Sequence, residues 1–155
     1  MNRQTLVLIH RTAGALAFLT VASFFTSTLF AELSGVQHHI VAVKQAILWC
    51  IPLLILSMML TGVSGNKLYP SKGKGVIGAK QGRMKIAAAN GLLVMLPSAV
   101  FLYFKAVSLE FDGYFWAVQA IELVGGAINL TMIGLNIRDG LSLKRTKNPR
   151  AKQSA

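Results

Sequence analysis

The stretch TAGALAFLTVASFFTSTLFA, residues 12–31, runs without a single charged side chain. About 20 such residues in an α-helix cross the roughly 30 Å hydrocarbon core of a bilayer. The chain has three more stretches of this kind, at 45–66, 86–104 and 113–137, and only Glu122 interrupts the last one. Because a backbone in lipid must satisfy its own hydrogen bonds, runs of this length predict helices. The sequence therefore predicts an all-α fold, an antiparallel four-helix transmembrane bundle.

The composition favours the same class of protein. Apolar residues make up 54% of the 155-residue chain and charged residues 14%, and the mean hydropathy is +0.55. A soluble protein carries roughly 25% charged residues, which cover its surface. The single cysteine, Cys50, rules out a disulfide framework within the chain, and it also rules out a thiol-redox enzyme that needs paired cysteines.

The positive charge is concentrated on one side of the predicted bundle. Most lysine and arginine residues lie at the N-terminus, between the second and third spans, or in the C-terminal tail. These residues are Arg3, Arg11, Lys67, Lys72, Lys74, Lys80, Arg83, Lys85, Arg138, Lys144, Arg145, Lys147, Arg150 and Lys152. The positive-inside rule then predicts a bacterial inner-membrane protein with both termini in the cytoplasm. The net charge of +11 is thus a topology signal that also attracts anionic inner-leaflet lipids, and nucleic acid is not an expected partner.

These patterns predict one transmembrane domain over residues 1–141, with spans at about 8–32, 41–63, 84–105 and 113–137. Residues 142–155 are basic and have no apolar face. They are predicted to form a basic cytoplasmic tail.

Small and polar residues recur along one face of the fourth span, at spacings of three, four and seven residues. They are Gln119, Glu122, Gly125, Gly126, Asn129 and Asn136. One interpretation is helix packing, in which glycines allow close approach and amides bond across helices. The other is that the face lines a cofactor or quinone cavity.

Glu122 is the one acidic residue deep within a span, about 13 Å from its start at 1.5 Å per residue. Lys44 enters the second span from the same side, and Glu32 lies at the same end of the first span. A Lys44–Glu122 pair would lower the cost of both charges in lipid. Such a pair serves either structure alone or a proton or ion path, and the second reading makes the protein a small transporter.

The inner ends of the spans bring together polar, basic and thioether side chains in a predicted collar. Its members are His10, Arg11, Met58, Met59, Arg83, Asn90, Met132, Asn136 and Arg138. Haem b could take His10 with Met58, Met59 or Met132 as axial ligands, since His/Met ligation is known. Arginines would then hold the propionates. The alternative is that His10 is a hydrogen-bonding group at a helix end.

The segment His10-Arg11-Thr12-Ala13-Gly14 resembles the His-Arg-x-x-Gly pattern in the first span of succinate dehydrogenase membrane-anchor subunits. The architecture is also similar to that of small four-helix b-type cytochromes. In the anchor family this pattern lies near the quinone site, and histidines on later spans hold haem. This chain departs from both families, because no histidine occurs in its second, third or fourth span.

The leading functional prediction is a non-catalytic subunit or accessory factor of a larger membrane complex, for example a respiratory one. Its partners would be other membrane subunits or further copies of the chain. The chain as a whole resembles small bacterial four-span membrane proteins, a likeness that implies no activity. The alternatives are a haem b-binding or quinone-linked redox protein that uses His10, and a small transporter that uses Glu122 and Lys44. Catalytic triads and paired catalytic carboxylates are not visible in the sequence, which disfavours a hydrolytic enzyme.

Overall fold

The structure is a computed structural model that describes residues 2–70 and 75–146, with side chains described as far as residue 142. The inner-loop residues Lys72 and Lys74 and the predicted tail from residue 147 onward lie outside the described residues.

The described chain is all helical and contains no β-strand. Four long helices follow one another: α1 Arg3–Ser34, α2 Gln37–Leu68, α3 Val76–Val107 and α4 Gly113–Thr146. Each contains a segment long and apolar enough to cross a membrane. The predictions of an all-α protein and of four apolar helices are therefore confirmed. Each helix extends beyond its apolar run into charged residues, and α4 runs past residue 141.

The helix ends at the predicted outer side are joined by tight turns. Gly35 ends α1 in the left-handed conformation, with φ of 65°, and its N–H bonds the carbonyl of Glu32. Glycine adopts this conformation without the steric cost that a Cβ brings.

Asp112 opens α4, since its Oδ1 accepts a hydrogen bond from the Phe115 backbone N–H at 2.9 Å. Lys105 Nζ lies 2.8 Å from Asp112 Oδ2 and 2.7 Å from Glu110 Oε2. The hydrogen bond from Lys105, followed by the one from the Phe115 N–H, holds the pKa of Asp112 below its ordinary value. Lys105 thus links the end of α3 to the start of α4.

The helices pack in a ring. The most extensive contact is between α1 and α2, and α4 packs against both α1 and α3. The contact between α2 and α3 covers only part of α3, because α3 changes neighbours along its length. Its half Leu96–Val107 packs on both α2 and α4, whereas its half Val76–Asn90 packs mainly on α4.

A π-helical turn, Gly91–Met95, separates the two halves of α3. The Leu96 N–H bonds the carbonyl of Gly91, one residue further back than in an α-helix. Pro97 follows directly and has no N–H to offer. Single π turns of this kind occur frequently at functional sites.

Two glycines allow α4 to approach its neighbours closely. A Cβ on Gly125 would lie 2.6 Å from Met95 Sδ, and one on Gly126 would lie 3.2 Å from Phe25 Cδ2. These contacts fit the helix-packing interpretation of the small residues on this face. The glycine face therefore positions α4 against both α1 and the π turn of α3.

We expect Gly126→Leu to destabilise the protein by about 1–3 kcal/mol, the usual cost of overpacking, because its Cβ would press against the Phe25 ring. Thermal unfolding in a mild detergent measures the effect. Gly62→Leu is the matched control, because nothing lies within 4 Å of a Cβ at Gly62. Equal unfolding temperatures for the two variants would contradict the close packing at Gly126.

Candidate functional site

A cavity of about 280 Å³ lies among the four helices. Its walls are apolar, with contributions from Phe24, Phe25, Ile51, Met58 and Met95, among others. Thr28, Glu122 and Asn129 are the polar side chains on its lining. The cavity results from the packing of α3. Its half Leu96–Val107 packs on α2, whereas its half Val76–Asn90 packs mainly on α4, and a gap therefore separates α2 from this half.

The gap faces the outer surface of the bundle. Ile55, Met59 and Leu92 line the cavity and are also exposed, Met59 by 61% and Leu92 by 63%. These residues belong to α2 and to the π turn. In a membrane this surface faces lipid, so the cavity can be reached sideways by a molecule dissolved in the bilayer.

An amide pair borders the cavity where α3 meets α4. Asn90, the residue before the π turn, uses both hydrogens of its Nδ2, which bond the Gly125 carbonyl and Asn129 Oδ1 at 2.9 Å each. Asn129 is 6% exposed and lines the cavity. Its own Nδ2 donates to none of the described residues. The structure thus leaves one amide donor at the cavity wall for another acceptor.

Lys44 and Glu122 meet in the interior, where Lys44 Nζ donates to Glu122 Oε2. Their side chains are 1% and 8% exposed. This is the contact expected from the similar depth of the two residues in their spans. Pairing compensates much of the cost of placing two charges in hydrocarbon. Glu122 faces the cavity as well, so the ion pair forms part of its wall.

Two polar side chains, one near the end of α1 and one near the start of α4, have buried atoms without partners. Both carboxylate oxygens of Glu32 and both amide atoms of Gln119 lack a hydrogen-bond partner in the described structure. Glu32 lies within range of an electrostatic interaction with Lys44 and with Glu122, although it contacts neither directly among the described residues. Gln119 precedes Glu122 by one helical turn and is 2% exposed.

His10 lies at the other end of the molecule and binds to α2. Its Nδ1 is 3.0 Å from the Thr61 carbonyl and 3.1 Å from Ser64 Oγ. A carbonyl can only accept, so Nδ1 carries a hydrogen and donates it to α2. A Cβ on Gly65 would come within 3.2 Å of His10 Cε1, so the ring lies tightly against α2.

The basic side chains of this inner end form a network centred on Asp139. Arg83 Nη1 donates to Asp139 Oδ2 at 2.6 Å and to Asn136 Oδ1 at 3.4 Å. Arg138, with a side chain that is 71% exposed, bonds the other oxygen of Asp139 at 3.3 Å. Asn136 Nδ2 bonds the Lys80 carbonyl at 3.3 Å. The network ties the N-terminal half of α3 to the end of α4.

The predicted collar is therefore divided. Met58 and Met59 line the cavity, and Asn90 reaches it through Asn129. The remaining members are not among the lining residues: His10, Arg11, Arg83, Met132, Asn136 and Arg138. Arg11 is exposed. The histidine and the methionines do not share a cavity, and two of the three arginines bind Asp139, so the set does not fit a haem site.

Sequence reasoning missed two parts of this arrangement. No role is assigned to Asp139 from the sequence alone. An acidic residue among many basic ones is a candidate partner for their charges, so this position could have been noted from the sequence. For the π turn, Pro97 is the one indication in the sequence. A proline predicts a kink in a helix, but it does not predict that the backbone hydrogen bonds before it shift by one residue.

No protein-family model matches the chain, and neither the curated proteins nor the solved structures yield a significant match.

We expect Lys44→Met to destabilise the protein by about 3–5 kcal/mol, because it leaves the Glu122 carboxylate buried without its cation. The double variant Lys44→Met/Glu122→Gln should recover much of that loss, since it removes both charges. Thermal unfolding in detergent and accumulation in membranes report the effect.

Lys105→Met is the control, because the pairs of Lys105 lie at the surface. A double variant that is no more stable than Lys44→Met alone would show that the two charges are not coupled.

Proposed function

We propose that the protein is an integral protein of the bacterial inner membrane, with four antiparallel spans and both termini in the cytoplasm. Contacts between opposite ends of α1 and α2 support the antiparallel arrangement. His10, early in α1, bonds Thr61, late in α2, while Ala31 and Ile40 share a hydrophobic cluster near the turn between the helices. The distribution of lysine and arginine supports the orientation.

Fusions test this topology. Green fluorescent protein at the C-terminus should fluoresce, and alkaline phosphatase inserted at the turn between α1 and α2 or after Glu110 should be active. Alkaline phosphatase fused at the C-terminus is the matched control and should be inactive. An active C-terminal phosphatase would overturn the orientation.

We further propose that the protein acts by binding rather than by catalysis, as a membrane subunit or accessory factor that holds a lipophilic molecule with a polar carbonyl head. Quinones belong to this class. The observation that carries the proposal is the cavity, which runs from the lipid-facing surface at Met59 and Leu92 to the amide of Asn129. Its volume of about 280 Å³ is near the lower end of the range for small-molecule sites.

The polar groups favour a head that accepts a hydrogen bond. Asn129 Nδ2 has a hydrogen to donate, and no described residue takes it. The apolar walls suit the ring or the chain of the same molecule, since they pack against it by van der Waals contact and require no buried polar group to be desolvated. The ion pairs Lys44–Glu122 and Arg83–Asp139 satisfy charges within the chain, which supports a binding role over a catalytic one.

A short-chain ubiquinone analogue, titrated into detergent-purified protein, tests the proposal. We expect saturable binding, measured as a rise in unfolding temperature. Asn129→Leu should weaken it at least tenfold, since about 1.4 kcal/mol from one lost hydrogen bond corresponds to that factor. Asn66→Leu, which replaces an exposed amide outside the cavity, should bind as the wild type does.

Met59→Trp provides a second variant that leaves the amides intact. A larger ring at the exposed rim should narrow the entrance and reduce binding. Equal affinity of the wild type, Asn129→Leu and Met59→Trp would show that the analogue does not occupy the cavity. Co-purification of a stoichiometric membrane partner from native membranes would separately support the subunit role.

A further inference from the structure

Four buried polar atoms near the Lys44–Glu122 pair have no partner in the described structure. They are the two carboxylate oxygens of Glu32 and the amide oxygen and nitrogen of Gln119. Buried polar groups in proteins are nearly always hydrogen-bonded, so each exception asks for an explanation. Here the exceptions are confined to two side chains in one region of the bundle.

If Lys44, Glu122 and Glu32 were all ionised, this region would carry more negative than positive charge. Lys44 contributes one positive charge, and Glu122 neutralises it through their hydrogen bond. An ionised Glu32 would add a second negative charge beside this pair, with both of its oxygens shielded from water. A carboxylate in such a place is strongly disfavoured, and a group of this kind neutralises instead.

A neutral Glu32 would also resolve the hydrogen bonding. A carboxylic acid has one donor and one acceptor, and the primary amide of Gln119 offers an acceptor and a donor in return. Gln119 lies on the face of α4 between Phe115, which packs in a cluster with Ala31 next to Glu32, and Glu122. The two side chains make no direct hydrogen bond in the described structure, so a water molecule between them is the link that would satisfy both.

We propose that Glu32, with Gln119 and the Lys44–Glu122 pair, forms a proton-binding site that holds one proton on the Glu32 carboxyl group. The site does not depend on what occupies the cavity. Glu32 lies in the last turn of α1 and is only half-buried as a residue, so its shielded carboxyl group is a short distance from the water at the Gly35 turn.

The other charged and titratable groups that the structure describes at this end are bonded to other residues, so none of them is a hydrogen-bond partner of Glu32. On α2, Lys44 binds Glu122, and His39 Nδ1 is 3.1 Å from Ser34 Oγ. At the end of α3, Lys105 binds the two turn carboxylates, Glu110 and Asp112. On α4, Glu122 is the acidic group that faces the site.

Infrared spectroscopy of the purified protein in lipid vesicles at neutral pH tests the proposal. The wild type should show the C=O stretch of a protonated carboxylic acid, shifted in heavy water and lost at alkaline pH. Glu32→Gln should abolish the band, and Glu110→Gln, an exposed acid, should leave it unchanged. Gln119→Leu should move the band to higher frequency, because the hydrogen bond to the acid is lost.

Thermal unfolding gives a second, independent measurement. Glu32→Gln replaces the proposed neutral acid with a neutral side chain of the same shape, so it should match the wild type at neutral pH. At alkaline pH it should unfold at a higher temperature than the wild type, which then has to bury a carboxylate. A wild type without the band, a band that persists in Glu32→Gln, or a Glu32→Gln variant that fails to fold would each overturn the proposal.

Discussion

Lys44 and Glu122 form an ion pair between α2 and α4, two helices on opposite corners of the ring that make few other contacts with each other. A lone charge in hydrocarbon is costly, so each residue is stable only when it faces the other. The pair therefore fixes the rotation of both helices about their axes. Once Glu122 points inward, Gly126 and Asn129 follow on the same face, one and two turns further along, and these residues meet α1 and the π turn of α3. The position of the cavity depends on this arrangement.

The cavity itself results from the different packing of the two halves of α3. Its half Leu96–Val107 packs on both α2 and α4, its half Val76–Asn90 packs mainly on α4, and the π turn lies at the change of neighbours. A uniform α-helix packed along the whole of α2 would leave no gap for Met59 and Leu92 to border. In membrane bundles, where lipid fills gaps as readily as side chains do, such an opening carries a smaller penalty than a void in a soluble core. The opening is thus compatible with stability.

The polar side chains of the bundle differ in how completely they are satisfied. At the inner end, His10 is held by α2, and Arg83, Asn136 and Asp139 bond one another, which is the behaviour of a structural network. At the cavity wall both hydrogens of Asn129 Nδ2 stay unused among the described residues. Beside the ion pair, Glu32 and Gln119 have no partner in the described structure. The unsatisfied polar groups therefore lie at the cavity wall and near the Gly35 turn, while the polar groups at the opposite end bond one another.

The sequence by itself determined that the described chain is helical with four helices long and apolar enough to cross a membrane, and it gave each polar residue a predicted depth, because hydrocarbon thickness fixes the length of an apolar run. Depth was enough to anticipate that Lys44 would meet Glu122. It was not enough to separate His10 from Met58 and Met59, which share a level but not a cavity. Rotation about a helix axis and the choice of neighbour are set by packing between helices, through contacts such as Gly126 with Phe25 and by the register shift before Pro97. Only the tertiary structure decided these, because they depend on how distant segments fit and not on the composition of any one span.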